Sequence, residues 1–269
     1  MNYDYNPDIN TGQLGLYSEV PYQGFAYIYS QSSEEEANWN ALLMNIAHSF
    51  HNGISFTASY AYSHNLSDYR GEAPFISSQG TQDSRNLHAD YGNAQLNQPH
   101  VFTTSTVYTE PFFRSGALLK RLVLGGWVFT NVDTIQSGMS LDFGLDVGNG
   151  GLSTRPDLRA PIDVTKDVRG TGSWFDSSPT RFEAPPAGFY GTAPVGGFLG
   201  PGLINFDMGA YKDFALSHGQ KIEFRSEFFN VFNHANFLGV DTVYGDAQFG
   251  AVTSARDPRI MEFALRYTF

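Results

Sequence analysis

Glu223 and Glu227 stand on one side of an alternating stretch, the arrangement a general acid and its base would need. Lys221 and Arg225 interleave with them in the same row, so salt bridges lining a wet lumen are the better reading. His48 and His51 have a spacing that suits metal ligation from one face of a helix. In a hairpin they fall on opposite sides of strand and turn, which leaves surface or lumen histidines. Asp142, Asp146 and Asn149, set among glycines, could wrap a calcium ion, but their spacing is not that of a helix-loop-helix calcium site, and a solvated loop explains them better. Asp142-Phe143-Gly144 spells a kinase triplet with none of its companion motifs, and no Ser, His and Asp set carries the local signature of a nucleophile. Asn65-Leu66-Ser67 is a glycosylation acceptor by spelling only. The residues therefore predict no catalytic group, no metal site, no cofactor and no enzyme. The one enzymatic alternative is a hydrolase built on a barrel face.

The elements that would position such side chains are strands. From Arg259 to Phe269, Met261, Phe263, Leu265, Tyr267 and Phe269 alternate with Glu262, Ala264, Arg266 and Thr268. Successive strand side chains point to opposite faces, so this period describes a strand between an apolar medium and water. The same pattern recurs upstream. Leu42, Met44, Ile46 and Phe50 share a face of Trp39 to Phe50; His51-Asn52-Gly53 turns the chain, and Ile54, Phe56, Ala58, Tyr60 and Tyr62 continue on the partner strand. Val101 to Thr109 reads as a strand with faces hard to tell apart. A strand is also expected over Arg121 to Ile135, with a bulge near Gly125-Gly126. Leu203 to Phe214 and Lys221 to Phe232 form a hairpin through Leu216-Ser217-His218-Gly219. Residues 1–38 read as a loop region with one weak strand around Phe25 to Tyr29, and 39–269 as the strand-bearing domain.

Composition narrows the class. Apolar residues are 41% and aromatics 15%, with 23 Phe and 15 Tyr, while mean hydropathy is −0.28. No apolar window is long enough for a transmembrane helix, yet membrane strands leave no such trace. The formal charge of −11 argues against nucleic acid as a partner. Without cysteine there is neither a disulfide framework nor a thiolate metal site. The opening residues, Met1 to Gly12, lack the basic and apolar regions of a secretion signal.

Short connections are expected after Phe50, Thr109 and Leu216, and long ones after Ser63, Ile135 and Phe232. An outer-membrane barrel sorts its connections this way, with short turns on the periplasmic side and long loops outside. A soluble sandwich has no reason to.

Several ordered motifs give this pattern a family. Phe224-Arg225-Ser226-Glu227-Phe228-Phe229-Asn230-Val231-Phe232-Asn233-His234, Asp257-Pro258-Arg259 and the closing Phe263-Ala264-Leu265-Arg266-Tyr267-Thr268-Phe269 resemble the C-terminal end of TonB-dependent outer-membrane receptors of the Oar-like, carboxypeptidase-regulatory-like group. So do Gly125-Gly126-Trp127, Gln136-Ser137-Gly138, Arg155-Pro156-Asp157, Trp174-Phe175 and Gly200-Pro201-Gly202. The resemblance runs from about residue 20 to the end.

The resemblance implies an all-β fold: an antiparallel transmembrane β-barrel of about 22 strands, of which this chain supplies a C-terminal segment of about seven with long extracellular loops. It implies energy-coupled uptake of an unknown small ligand across the outer membrane. The implied partners are outer-membrane lipid, the N-terminal barrel strands and plug domain that this stretch lacks, and the TonB energy-coupling protein reached through that plug. Phe263, Leu265, Tyr267 and Phe269 resemble the signal read by the barrel-assembly machinery, whose logic is strand addition at an exposed edge. The chain then reads as the last third or so of a receptor. The alternatives are a complete small outer-membrane barrel and a soluble β-sandwich adhesin or binding domain.

Overall fold

The alternating stretches become seven long strands: β1 (Ala37–Ser49), β2 (Ile54–Ser67), β3 (His100–Thr109), β4 (Trp127–Gln136), β5 (Leu203–Ala215), β6 (Lys221–Phe229) and β7 (Ile260–Thr268). The computed structural model describes residues 2–4, 29–31, 34–50, 52–69, 81–83, 86–113, 115–146, 155–165, 167–186 and 189–269. The strands lie side by side in chain order, every neighbouring pair is antiparallel, and the two-residue strand Gly92–Asn93 extends β2 at its far end. The sheet is open, because β1 and β7 do not pair with each other. The weak strand expected near Phe25 lies mostly outside the described residues; Tyr29–Gln31 is a strand and pairs with Asn2–Asp4.

Register turns the sequence alternation into two chemically different surfaces. Met44, Tyr60, Phe102, Ile135 and Ile204 are aligned across β1 to β5 in one row. The next row, one residue along each strand, is Asn45, Ser59, Thr103, Thr134 and Asn205. At the other end of the sheet Phe214, Ile222 and Tyr267 align on the apolar side, and Asp213, Glu223 and Arg266 on the polar side. Aligned antiparallel partners share a face, so a one-residue slip would exchange the two surfaces throughout. The apolar surface is not a core: Met261, Phe263 and Leu265 are 54%, 64% and 74% exposed, and no second sheet covers this face among the described residues. This arrangement is incompatible with a two-layer sandwich, in which those rows would meet each other.

The apolar face has a polar interruption. Asp133 Oδ2 accepts from Thr104 Oγ1 at 2.7 Å and from Asn131 Nδ2 at 2.7 Å, and all three side chains sit on the apolar side. Lys212 also belongs to that side, aligned with Trp127 and Phe224.

Two expectations need correction. Arg121 to Leu124 is not strand: residues Leu118–Leu124 form helix α1, and β4 begins only at Trp127. Leu122, Leu124, Gly126, Val128 and Val132 happen to fit a period of two, but Leu118 with Leu122 and Leu119 with Val123 fit the helical period, which wins. Gly126, at φ 74°, redirects the chain from helix to strand where a bulge was expected. The connection after β3 is accordingly an excursion over 110–126 rather than a short turn, although the turn between β1 and β2 is tight. There Gly53 is at φ 82°, and a Cβ would stand 2.2 Å from the Thr109 carbonyl oxygen.

The two surfaces make a paired prediction at adjacent positions of β7. Phe263→Arg puts a charge on the apolar row and is expected to cost roughly 2–4 kcal/mol if that row meets hydrocarbon, whereas Ala264→Arg, on the polar row, should be tolerated. The amount of folded protein recovered in outer membranes measures both; equal losses would show that the face assignment is wrong.

Candidate functional site

On the polar face the charged ladder of β6 is satisfied laterally. Lys221 Nζ lies 3.0 Å from Asp213 Oδ2 and 3.7 Å from Glu223 Oε2, and Arg225 bonds Glu223. Tyr211 donates its hydroxyl to Glu227 Oε1 at 2.8 Å, with the Arg225 guanidinium over the Tyr211 ring at 6.0 Å. Glu223 and Glu227 are thus engaged with cations and a phenol, an arrangement that suits the lining of a charged aqueous surface better than proton transfer. His48 packs edge-on against Phe50, with ring centroids 4.1 Å apart, and His51 lies outside the described residues.

The long connections hold the only buried hydrophobic cluster among the described residues. Phe143, Phe175 and Phe182 are fully buried, with Phe198 and Ala193 nearly so, and Leu141, Trp174, Val240, Tyr244 and Phe249 pack around them. Phe143 and Phe175 meet edge to face at 5.5 Å, and Phe249 stands 5.2 Å from Phe175 and 5.1 Å from Phe182. Three separate segments of chain are therefore pinned together by rings whose edge-to-face packing adds to their burial. The expectation of irregular loops misses this layer. Its signal in the sequence was the aromatic content of Gly-rich stretches, not any period.

Buried polar contacts tie the layer to the sheet. Arg155 Nη1 lies 2.6 Å from Asp90 Oδ1, while Asp90 Oδ2 accepts the Gln82 backbone N–H at 2.9 Å. Asp142 accepts the Gly196 N–H at 2.6 Å and Gln95 Nε2 at 3.2 Å, so it is occupied in holding the loops together. Asn149 lies outside the described residues. Asn236 acts as a side-chain substitute for a strand: its Oδ1 accepts the Ile204 N–H at 2.9 Å and its Nδ2 donates to the Ile204 carbonyl at 3.0 Å.

Several of the ordered motifs noted in the sequence are joints of the same kind. Asn230, at φ 50°, accepts the His234 N–H at 2.9 Å and donates to the His234 carbonyl at 2.9 Å, closing the chain at the end of β6. Asn233 Oδ1 accepts the Arg259 N–H at 3.0 Å, bringing the start of β7 to that joint. A Cβ on Gly138 would stand 1.9 Å from the Gly200 carbonyl oxygen, and one on Gly202 would stand 2.4 Å from that of Gln136. Trp174 Nε1 donates to the Leu199 carbonyl at 2.9 Å beside the aromatic cluster.

A cavity of about 690 Å³ opens between the end of β2 and the loop layer, with His64, Asp83, Asn86, Tyr91, Asn93 and Tyr190 in its wall. His64 Nε2 and Asn93 Oδ1 are 3.0 Å apart, and Asn93 Nδ2 donates to the Gly196 carbonyl at 2.9 Å. A pocket of this size with mixed polar and aromatic walls can hold a small polar molecule. It is the candidate ligand site; of its lining only Leu66 and Arg155 fall in motifs named above, and neither was read there as a ligand contact. Of the four residues of the expected assembly signal, Phe263, Leu265 and Tyr267 line one exposed row of β7 at the edge of the sheet and Phe269 follows the strand's end, all between 52% and 95% accessible.

Two loop carboxylates carry opposite pH signatures. Arg181, bonded to Asp176 Oδ2 at 2.8 Å, and the Ser178 N–H hold the Asp176 carboxyl below its ordinary value of 3.8. Desolvation, then the neighbouring Asp241 and Asp146, push Asp246 up. A depressed carboxyl stabilises the folded loops above 3.8 and loses that contribution as pH falls through its lowered value. A raised one has the reverse sign, favouring the fold at low pH and opposing it as pH rises through its elevated value. Asp246→Asn should therefore increase amide-exchange protection of the loop layer at pH near 7 and give no gain in acid, whereas Arg181→Gln should lower protection near neutrality, with the part due to Asp176 lost in acid and the part due to the Pro161 carbonyl remaining. Phe175→Ala, which empties the centre of the cluster, should cost about 3–5 kcal/mol and open the loops to protease while leaving β1 to β7 assembled.

The comparisons with known proteins agree with this architecture. Residues 1–262 match the family model described as an outer membrane beta barrel domain. No curated protein and no solved structure matches the chain. The match takes in all but the last few residues, so the chain belongs to the outer membrane beta barrel domain family, and its place is the outer membrane.

Proposed function

We propose that this chain is the C-terminal part of a TonB-dependent receptor of the Oar-like group, taking up a small ligand by energy-coupled transport across the outer membrane. The observation that carries the reading is the open sheet: β1 and β7 each present an unpaired edge among the described residues. In hydrocarbon every unpaired amide is costly, so further strands must complete the wall. Completion by many strands gives a barrel wide enough to need a plug, and completion by few gives a small, side-chain-filled barrel. The wide barrel is favoured by the charged ladder of Lys221, Glu223, Arg225 and Glu227, which needs water on its side of the sheet, and by the loop layer, which is larger than a small barrel needs. The cavity beside Tyr91 and Tyr190 would then contribute to ligand capture from outside.

Antibody against the loop layer, applied to native outer membranes, tests the assignment. A receptor predicts a heat-modifiable species of two to three times the 29.7 kDa of this chain, which crosslinks to the inner-membrane energy-coupling protein. A heat-modifiable species of 29.7 kDa with no such crosslink would favour the complete small barrel instead.

A further inference from the structure

The excursion over 110–126 sits at the short-connection end of the sheet, which in outer-membrane barrels is periplasmic. It is held on the apolar side. Lys212 and Trp127 both project from that face: Lys212 Nζ bonds the Gly125 carbonyl and lies 3.5 Å from that of Arg121, and Trp127 Nε1 donates to the Val123 carbonyl at 2.8 Å. The Lys212 ammonium also stands 5.3 Å from the Trp127 ring and 5.3 Å from the Phe214 ring. The other foot is tied by Glu110, whose carboxylate accepts the N–H groups of Phe112, Phe113 and Gly126. Side chains of the sheet therefore fix the last turn of α1 against its outer surface.

The helix itself is amphipathic and unburied. At 100° per residue Leu118, Leu119, Leu122 and Val123 form one stripe, with Lys120 and Arg121 on the opposite side flanking Leu124. The four apolar residues are 64%, 73%, 42% and 54% exposed, and Phe112 is 70% exposed beside them. A seven-residue helix with no side-chain N-cap is marginal in water, so it needs an apolar surface to lie on. Its last turn is held at the end of the sheet face that carries the apolar rows.

We propose that α1, with Phe112 and Phe113, is an interfacial anchor seated in the periplasmic leaflet of the outer membrane, where Lys120 and Arg121 engage the phosphate groups of anionic phospholipid. The geometry is that of a helix lying in the plane of the interface, apolar stripe toward the acyl chains and basic residues at headgroup level. This rests on the chain's place in the outer membrane and not on the transport reading.

The chain has no cysteine, so Leu119→Cys gives a single labelling site within it, and His218→Cys in the β5–β6 turn gives a control at the same end. The full protein is labelled with an environment-sensitive fluorophore and reconstituted into vesicles of phosphatidylethanolamine alone or with phosphatidylglycerol. The label at position 119 should be quenched by lipids carrying a shallow spin label, more strongly when phosphatidylglycerol is present, while the control stays at its water value. Lys120→Gln with Arg121→Gln should weaken seating in the anionic vesicles by roughly thirty-fold, taking about 1 kcal/mol for each basic residue at the surface. Circular dichroism of each variant separates a loss of seating from a loss of fold, and Lys120→Arg, which keeps the charge, should retain the effect. Absence of quenching at position 119 in folded protein, or quenching indifferent to phosphatidylglycerol, overturns the proposal.

Discussion

Hydrocarbon offers no partner to a backbone amide, and the rest of the structure follows from that constraint. An antiparallel meander answers it by pairing each strand with its neighbours in sequence, as β1 to β7 do. Once the backbone is committed to this ladder, side chains can only alternate, and the two surfaces must differ in chemistry because their surroundings differ. The Met44 to Ile204 row and the Asn45 to Asn205 row are one residue apart on each strand, and they differ as oil differs from water. Among the described residues the constraint leaves the edges of β1 and β7 as the sheet's unpaired margins.

How much of this was legible depended on whether the medium had left a local signature. The terminal strand was readable because every second residue from Met261 to Phe269 meets the apolar side, and the β1–β2 hairpin for the same reason. β3 was not, since Thr103 faces the polar side while Thr104 and Thr106 face the apolar one, and a threonine suits either. α1 was misread because Leu122, Leu124, Gly126 and Val128 mimic a period of two across a helix–turn–strand junction. The loop layer was invisible for a different reason. Phe143, Phe175, Phe182, Phe198 and Phe249 meet only in three dimensions, and they lie in stretches with no regular period. The candidate ligand cavity shares that limit, since its wall combines β2 with segments far along the chain.

The Thr104, Asn131 and Asp133 cluster shows where the apolar surface gives way. A carboxylate against acyl chains is expensive, and here one oxygen of Asp133 accepts two hydrogen bonds while its Oδ1 and the Asn131 Oδ1 accept none. Asp133 stands near the loop end of β4, which closes at Gln136. Both unpartnered oxygens are buried, so the cost of desolvating them is left uncompensated at that level. Lys212, at the opposite end of the same face, resolves its own cost differently, by reaching the carbonyls of Arg121 and Gly125 between two aromatic rings.

The ordered motifs of the sequence prove to be joints between strands and loops. Asn230 closes the end of β6, Asn233 brings Arg259 to it, and Gly138 and Gly202 permit backbones to approach where a Cβ would collide. Trp174 and Phe175 belong to the aromatic layer that those joints support. Residues with such duties specify how a wall and its outer loops are fastened together, and they say nothing about which molecule the loops meet. The information they carry is about architecture. Asp83, Asn86, Tyr91 and Tyr190 in the cavity wall are marked by no motif, because they come together only in the folded chain.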